Sequence, residues 1–120
     1  MITWPINPVT NLRTRDVEWV TADHQHLLTV TLIWDSPAIE DHVEQVAYYN
    51  VFQKDLDGNR FIGRSFVEAY RVCQLRVQGS CSHVEFVVQT VTRSGLKRPL
   101  EESCSIKLNW GSQKFPLSLR

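Results

Sequence analysis

An all-β architecture, a seven-stranded antiparallel Greek-key β-sandwich, is what this chain predicts, and three observations predict it. Apolar and polar residues alternate with period two along most of the sequence, as in "LLTVTLIWDSP", residues 27–37. Gly, Pro, Asn and Asp interrupt the alternating runs at intervals that suit short strands and turns. Helical periodicity is confined to "SFVEAY", residues 65–70, with room for about one turn.

Each element follows from its residues. Pro5 and Pro8 keep the beginning irregular, after which Val17 and Trp19 face one way across "RTRDVEWV" and Asp16 and Glu18 the other. His24 to His26 then fall in a polar turn. In the second strand Leu28, Val30, Leu32 and Trp34 share one face, Thr29, Thr31 and Ile33 the opposite one, and Ser36-Pro37 ends the run because proline has no ladder N–H. A third run, "VEQVAYYNVFQKD", leads to Asp57-Gly58, which tolerates positive φ, and "NRFIGRSF" returns as a fourth strand through a slightly long hairpin tip. "YRVCQLRV" is the fifth. Val84, Phe86 and Val88 then line one face of "HVEFVVQTV", Ser94-Gly95 turns the chain, and "CSIKLNW" places Cys104, Ile106, Leu108 and Trp110 inward. Residues 1–110 therefore read as a single domain and 111–120 as a C-terminal tail. Trp34, Tyr49, Val51, Leu75, Phe86, Ile106 and Leu108 are the expected core.

Bulk properties narrow the partners. At 120 residues the chain suffices for one core that buries roughly two thirds of the unfolded surface. Thirteen basic residues balance thirteen acidic ones, so the basic footprint that phosphate backbones and anionic lipids require is missing, and nucleic acid is not an expected partner. The apolar runs fall far short of the about 20 residues of a membrane helix, so no membrane partner is expected. Cys73, Cys81 and Cys104 are odd in number and lack Cys-x-x-Cys spacing, which suits a reducing compartment and a cytoplasmic location.

Two segments carry a family pattern. "VTLIWDSP" resembles the second-strand motif of fibronectin type III domains with Trp34 as the core tryptophan, and "VAYYNVF" resembles the third-strand Tyr-x-Val motif through Tyr49 and Val51. In the sixth strand Val84 stands where that family has a tyrosine. The ordered set "PVTNLRTRDVEWV", "LLTVTLIWDSP", "FIGRSFVEAYRVCQLRV" and "VEFVVQTVTRSGLKRPLEES" is similar to the C-terminal domain of animal cytosolic endo-β-N-acetylglucosaminidases, glycoside hydrolases of family 85. There a Gly-x-(Ala/Ser)-x-x-x-x-Tyr-Arg-(Val/Ile) segment and a Phe-Val-Val-x-x-Val block precede a Gly-x-x-x-Pro turn. Here these are Gly63, Ser65, Tyr70, Arg71 and Val72, then Phe86 to Val91, then Gly95 and Pro99.

The resemblance implies a parent enzyme that cleaves the N,N′-diacetylchitobiose core of N-glycans, and no catalytic activity for this chain. The family's catalytic Asn-x-Glu lies on a separate (β/α)8 barrel, and no segment here matches it. The chain is then a C-terminal piece with Met1 as a cloning start, and its expected partner is that barrel, with N-glycan the second candidate. A general protein-interaction fibronectin module and a stand-alone carbohydrate-binding module are the alternatives.

Other constellations read as ordinary structure. "DLDGN" opens like a calcium loop, but Arg60 stands where glycine is needed and Phe66 where a bidentate glutamate would close it. His24 with His26, and Cys81 with His83, give two pairs where zinc needs four convergent ligands, so no metal or cofactor is expected. Glu40, Asp41, Glu44, Glu101 and Glu102 lie in polar, turn-like sequence that would not raise a carboxyl pKa for acid catalysis. Trp34 and Trp110 are in phase with aliphatics, whereas Trp4, Tyr48, Phe52 and Phe61 are less clearly inward, and these four are the candidate binding or interface patch.

Overall fold

Two antiparallel sheets build the molecule. The computed structural model describes residues 7–22, 25–37, 45–55, 57–77 and 83–109. Among these are seven strands: β1 (Thr10–Ala22), β2 (Gln25–Asp35), β3 (Val46–Asp55), β4 (Gly58–Ser65), β5 (Ala69–Val77), β6 (His83–Thr92) and β7 (Cys104–Asn109), with a 3-10 helix at Leu100–Glu102. One sheet runs β1-β2-β5 and the other β4-β3-β6-β7.

The period-two pattern decides what lies between them. Leu28, Val30, Leu32 and Trp34 of β2 meet Tyr49 and Val51 of β3, Val72 of β5 and Val84, Phe86 and Val88 of β6, with Val9 joining from ahead of β1. Leu75, Ile106 and Leu108 pack on this cluster while partly exposed, because β5 and β7 are edge strands with solvent on one side. The last strand alternates as its sequence does, with Cys104, Ile106 and Leu108 half-buried and Ser105, Lys107 and Asn109 exposed. Trp110 and the tail from 111 to 120 lie outside the described residues.

Several local expectations change. "SFVEAY" makes no helix: residues 66–68 form a bend and β5 starts at Ala69. The cause is Ser65, whose Oγ accepts from Val67 N (3.2 Å) and donates to Ala69 O (2.6 Å), so a side chain takes groups that a helix would pair internally. The β3–β4 hairpin is tight, pairing up to Asp55↔Gly58, with Asp55 Oδ1 accepting from Asp57 N (2.9 Å) and Gly58 at φ 122°. His26 belongs to β2, paired with Thr21, rather than to a turn.

β1 is longer than its alternation suggested, and it keeps register only through shifts next to Asn11 and Asp16, both at positive φ. Trp19 packs on the core while Val17 is exposed. Such bulges twist an edge strand and blunt its capacity to pair with other chains.

β6 departs from simple alternation for a reason visible in its composition. Val87, Gln89 and Val91 are buried as well as Val84, Phe86 and Val88, so the strand is covered on both faces, as its nearly continuous apolar run allows. Gly95, at φ 91°, turns the chain back so that Arg98 N bonds Thr90 O (3.1 Å) alongside β6. The buried polar members of β6 are paired: Gln89 accepts from Asn50 Nδ2 (3.1 Å) and donates to Arg98 O (2.8 Å), and the Thr90 and Thr92 hydroxyls bond Asn7 O and Ser94 Oγ.

Trp34 is among the largest fully buried side chains, at 1% exposure. Trp34→Ala is expected to lower unfolding free energy by about 3–5 kcal/mol, read as a lower urea midpoint at unchanged m-value; a midpoint near wild type would show that the indole does not fill the core.

Candidate functional site

Among the described residues, the outer face of the β3–β4 hairpin and the bend after it hold the aromatic side chains that the core does not use. Tyr49 and Val51 point inward, so their neighbours Tyr48 and Phe52 point outward. Phe52 pairs directly with Phe61 on β4, and the rings meet edge to face at 5.6 Å. Tyr48 meets Phe66 in the same manner at 5.9 Å, and the Arg64 guanidinium lies 4.2 Å from the centre of the Tyr48 ring. Phe61 is 52% exposed, Phe66 71% and Val67 60%.

Three of the four aromatic residues anticipated for a patch, Tyr48, Phe52 and Phe61, thus share one face, and Trp4 lies outside the described residues. Phe66 and Val67 are not legible as patch residues in the sequence, because "SFVEAY" has the spacing of a helical turn and Phe66 also continues the alternating run "NRFIGRSF". The signal that locates them is Ser65 followed two residues later by β-branched Val67, a setting that favours a side-chain-closed turn over a helix.

The bend is anchored on both flanks. Ser65 is buried, and Glu68 reaches back: its Oε2 accepts from the Tyr49 hydroxyl (2.8 Å) and its carbonyl from Trp34 N (3.2 Å). Tyr49 in turn stands edge-on to Trp34, ring centroids 5.2 Å apart. Burial first, then the hydrogen bond to Glu68 and the nearness of its charge, push the Tyr49 phenol well above its ordinary value of 10.0.

The residues around this bend have definite packing and bonding roles. Any side chain at Gly63 would collide with the Tyr70 ring and hydroxyl, which donates to Ile62 O (2.9 Å) and closes the gap between β5 and β4. Arg71 donates to Thr31 Oγ1 (2.8 Å) on β2 and to Glu18 Oε1 (3.1 Å) on β1, binding the three strands of the smaller sheet on its outer side. Gly63, Ser65, Tyr70 and Arg71 thus serve packing and strand-to-strand bonding.

Catalytic and metal-binding groupings fare differently. Among the described residues no three His, Cys, Asp or Glu side chains converge as a metal site would need. His24 and Cys81 lie outside the described residues, as do Glu40, Asp41 and Glu44, while Glu101 and Glu102 are exposed on the 3-10 helix. No helix among the described residues is long and apolar enough to cross a membrane.

An all-β sandwich of two antiparallel sheets, with apolar side chains left exposed on one hairpin, is the class of module these elements define, and comparison with known proteins gives it a family. The chain belongs to the ENGASE1-like, C-terminal immunoglobulin-like domain family, whose model matches residues 2–111. A cytosolic endo-β-N-acetylglucosaminidase of Danio rerio is 28% identical over 130 aligned positions, covering 95% of this chain and 16% of that protein. The crystal structure of the Spr0440 glycoside hydrolase domain, Endo-D from Streptococcus pneumoniae R6, shares the fold at a TM-score of 0.63 and 14% identity, over 90% of this chain and 15% of that one. This chain therefore spans about a sixth of the length of each relative it matches.

The raised Tyr49 phenol makes an alkaline prediction. The folded state keeps that proton above the pH at which the unfolded chain releases it, so its contribution is intact below about pH 10 and lost as pH rises further. Tyr49→Phe is expected to be less stable than wild type at pH 8 and to lose less of its remaining stability between pH 10 and 11.5, measured by urea unfolding at each pH. Parallel alkaline losses in the two proteins would show that another group carries the effect.

Proposed function

We propose that the chain is a non-catalytic C-terminal accessory domain of a cytosolic endo-β-N-acetylglucosaminidase, a parent enzyme that cleaves the N,N′-diacetylchitobiose core of N-glycans on a separate (β/α)8 barrel. The observation that carries this reading is the match to a C-terminal domain family over residues 2–111 in a chain one sixth the length of its enzyme relative. The domain is of fibronectin type III-like, Greek-key construction, a reading that the three-plus-four strand order and the Trp34 and Tyr49 positions support.

Its role is to pack on and stabilise the catalytic assembly in the cytoplasm. Tyr48, Phe52 and Phe61, with Trp4 as the fourth member, form the interface patch, since an apolar surface beside a neighbouring domain is most economically covered by that domain. Residues 1–110 make up the domain and 111–120 a tail.

The full-length parent and a version lacking residues 1–120 of this chain test the proposal. The isolated chain is expected to release no glycan from a high-mannose glycopeptide, the full-length enzyme to release it, and the truncated enzyme to melt at lower temperature or to lose soluble yield. Hydrolysis by the isolated chain, or a truncated enzyme that melts as the full one does, would overturn it.

A further inference from the structure

We propose that the Phe66–Val67 bend is a preorganised apolar plug that inserts into a pocket on the catalytic portion preceding this domain in the same polypeptide; the inference rests on the accessory-domain reading above. Two large apolar side chains in succession, 71% and 60% exposed, are ordinarily a liability to a folded surface. A mobile loop could hide them, but this bend is held from both sides.

On one flank buried Ser65 closes the bend through Val67 N and Ala69 O. On the other, Glu68 is fixed to the core by the Tyr49 hydroxyl through its carboxylate and by Trp34 N through its carbonyl. With 65 and 68 tied inward, 66 and 67 have only the outward direction. Phe66 is further steadied by the Tyr48 ring, and Arg64 over that ring sets a cation beside the tip. The ordering cost of an interface side chain is thus largely met before docking, as in protein anchors that fill pockets. A pocket lined by apolar groups and rimmed by a carboxylate is the complementary shape and charge.

The fold also says which occupant is near. Ser65 and Thr90 both pair with Tyr49, one on each side, and Thr90 Oγ1 donates to Asn7 O (3.1 Å). The N-terminal approach to the domain therefore meets the same cross-strand row that carries the bend, roughly 10–15 Å away across two or three strand spacings. In a family whose domain is C-terminal, and with about five sixths of the relative's length lying outside the match, the preceding portion reaches the domain at this end. A glycan would instead favour a flat, open ring face, whereas the Tyr48 face is occupied by Arg64 and the rings here meet edge to face.

The test uses the full-length parent carrying Phe66→benzoyl-phenylalanine, irradiated and mapped by peptide mass spectrometry, with the same photoreactive residue at exposed Val17 as background. Crosslinks from position 66, above that background, into the portion preceding the domain are expected. In parallel, the Phe66→Ser/Val67→Ser parent is expected to be cut by protease between domain and catalytic portion about 10-fold faster, since losing a buried Phe anchor raises the undocked population by at least that factor. Crosslinks to a second copy, no crosslinks, an unchanged cleavage rate, or saturable amide shifts of residues 64–68 on adding high-mannose glycan would each overturn the plug. A parent without glycosidase activity would remove the accessory-domain reading instead, and the same crosslinks would then decide the plug independently.

Discussion

The contact between Trp34 and Tyr49 is the constraint on which the rest of the structure depends. One residue comes from each sheet, the rings meet edge to face at 5.2 Å, and the hydroxyl of Tyr49 continues the connection to Glu68. A sandwich is held by non-directional apolar burial, which tolerates sliding of one sheet over the other. An aromatic pair with a polar handle fixes the offset, because the ring must bury its body and still deliver its hydroxyl to a partner. Trp34 contributes its volume and its ring contact to this pair, buried at 1% exposure.

That contact also links core to surface. Glu68 ends the bend that follows β4, so the polar end of the buried pair is what positions two exposed apolar residues. The neighbouring requirements are of the same kind: Gly63 leaves space for Tyr70, Ser65 closes the bend, and Arg71 ties the outer side of the smaller sheet. These residues are explained by architecture around one corner of the sandwich.

How much of this was legible in the sequence varies with how local the cause is. Period-two alternation located β2 and β7 well, since each turns its apolar set toward the opposite sheet, with the other face exposed in β7 and half-buried in central β2, where Thr31 is buried. It served β1 less well, where positive-φ Asn11 and Asp16 shift the register, and β6, where burial on both faces removes the polar half of the pattern. Tyr48, Phe52 and Phe61 stood out in the sequence as less clearly inward than Trp34, and they lie on the outer side of their strands. Phe66 and Val67 did not, because "SFVEAY" satisfies helical spacing, and the competing claim of the Ser65 hydroxyl on nearby backbone groups is decided only when Glu68 finds Tyr49 nineteen residues away in sequence. Long-range pairing of that sort has no local signature.

The most direct measurement is amide hydrogen exchange at Trp34 and Val67 in wild type and Tyr49→Phe, with Val88 as an internal core reference. If the buried pair holds the bend, removing the hydroxyl that binds the Glu68 carboxylate accelerates exchange at both amides by about tenfold or more relative to Val88. Unchanged ratios to Val88 at both positions would contradict the account, since the bend would then be held in place without the core beneath it.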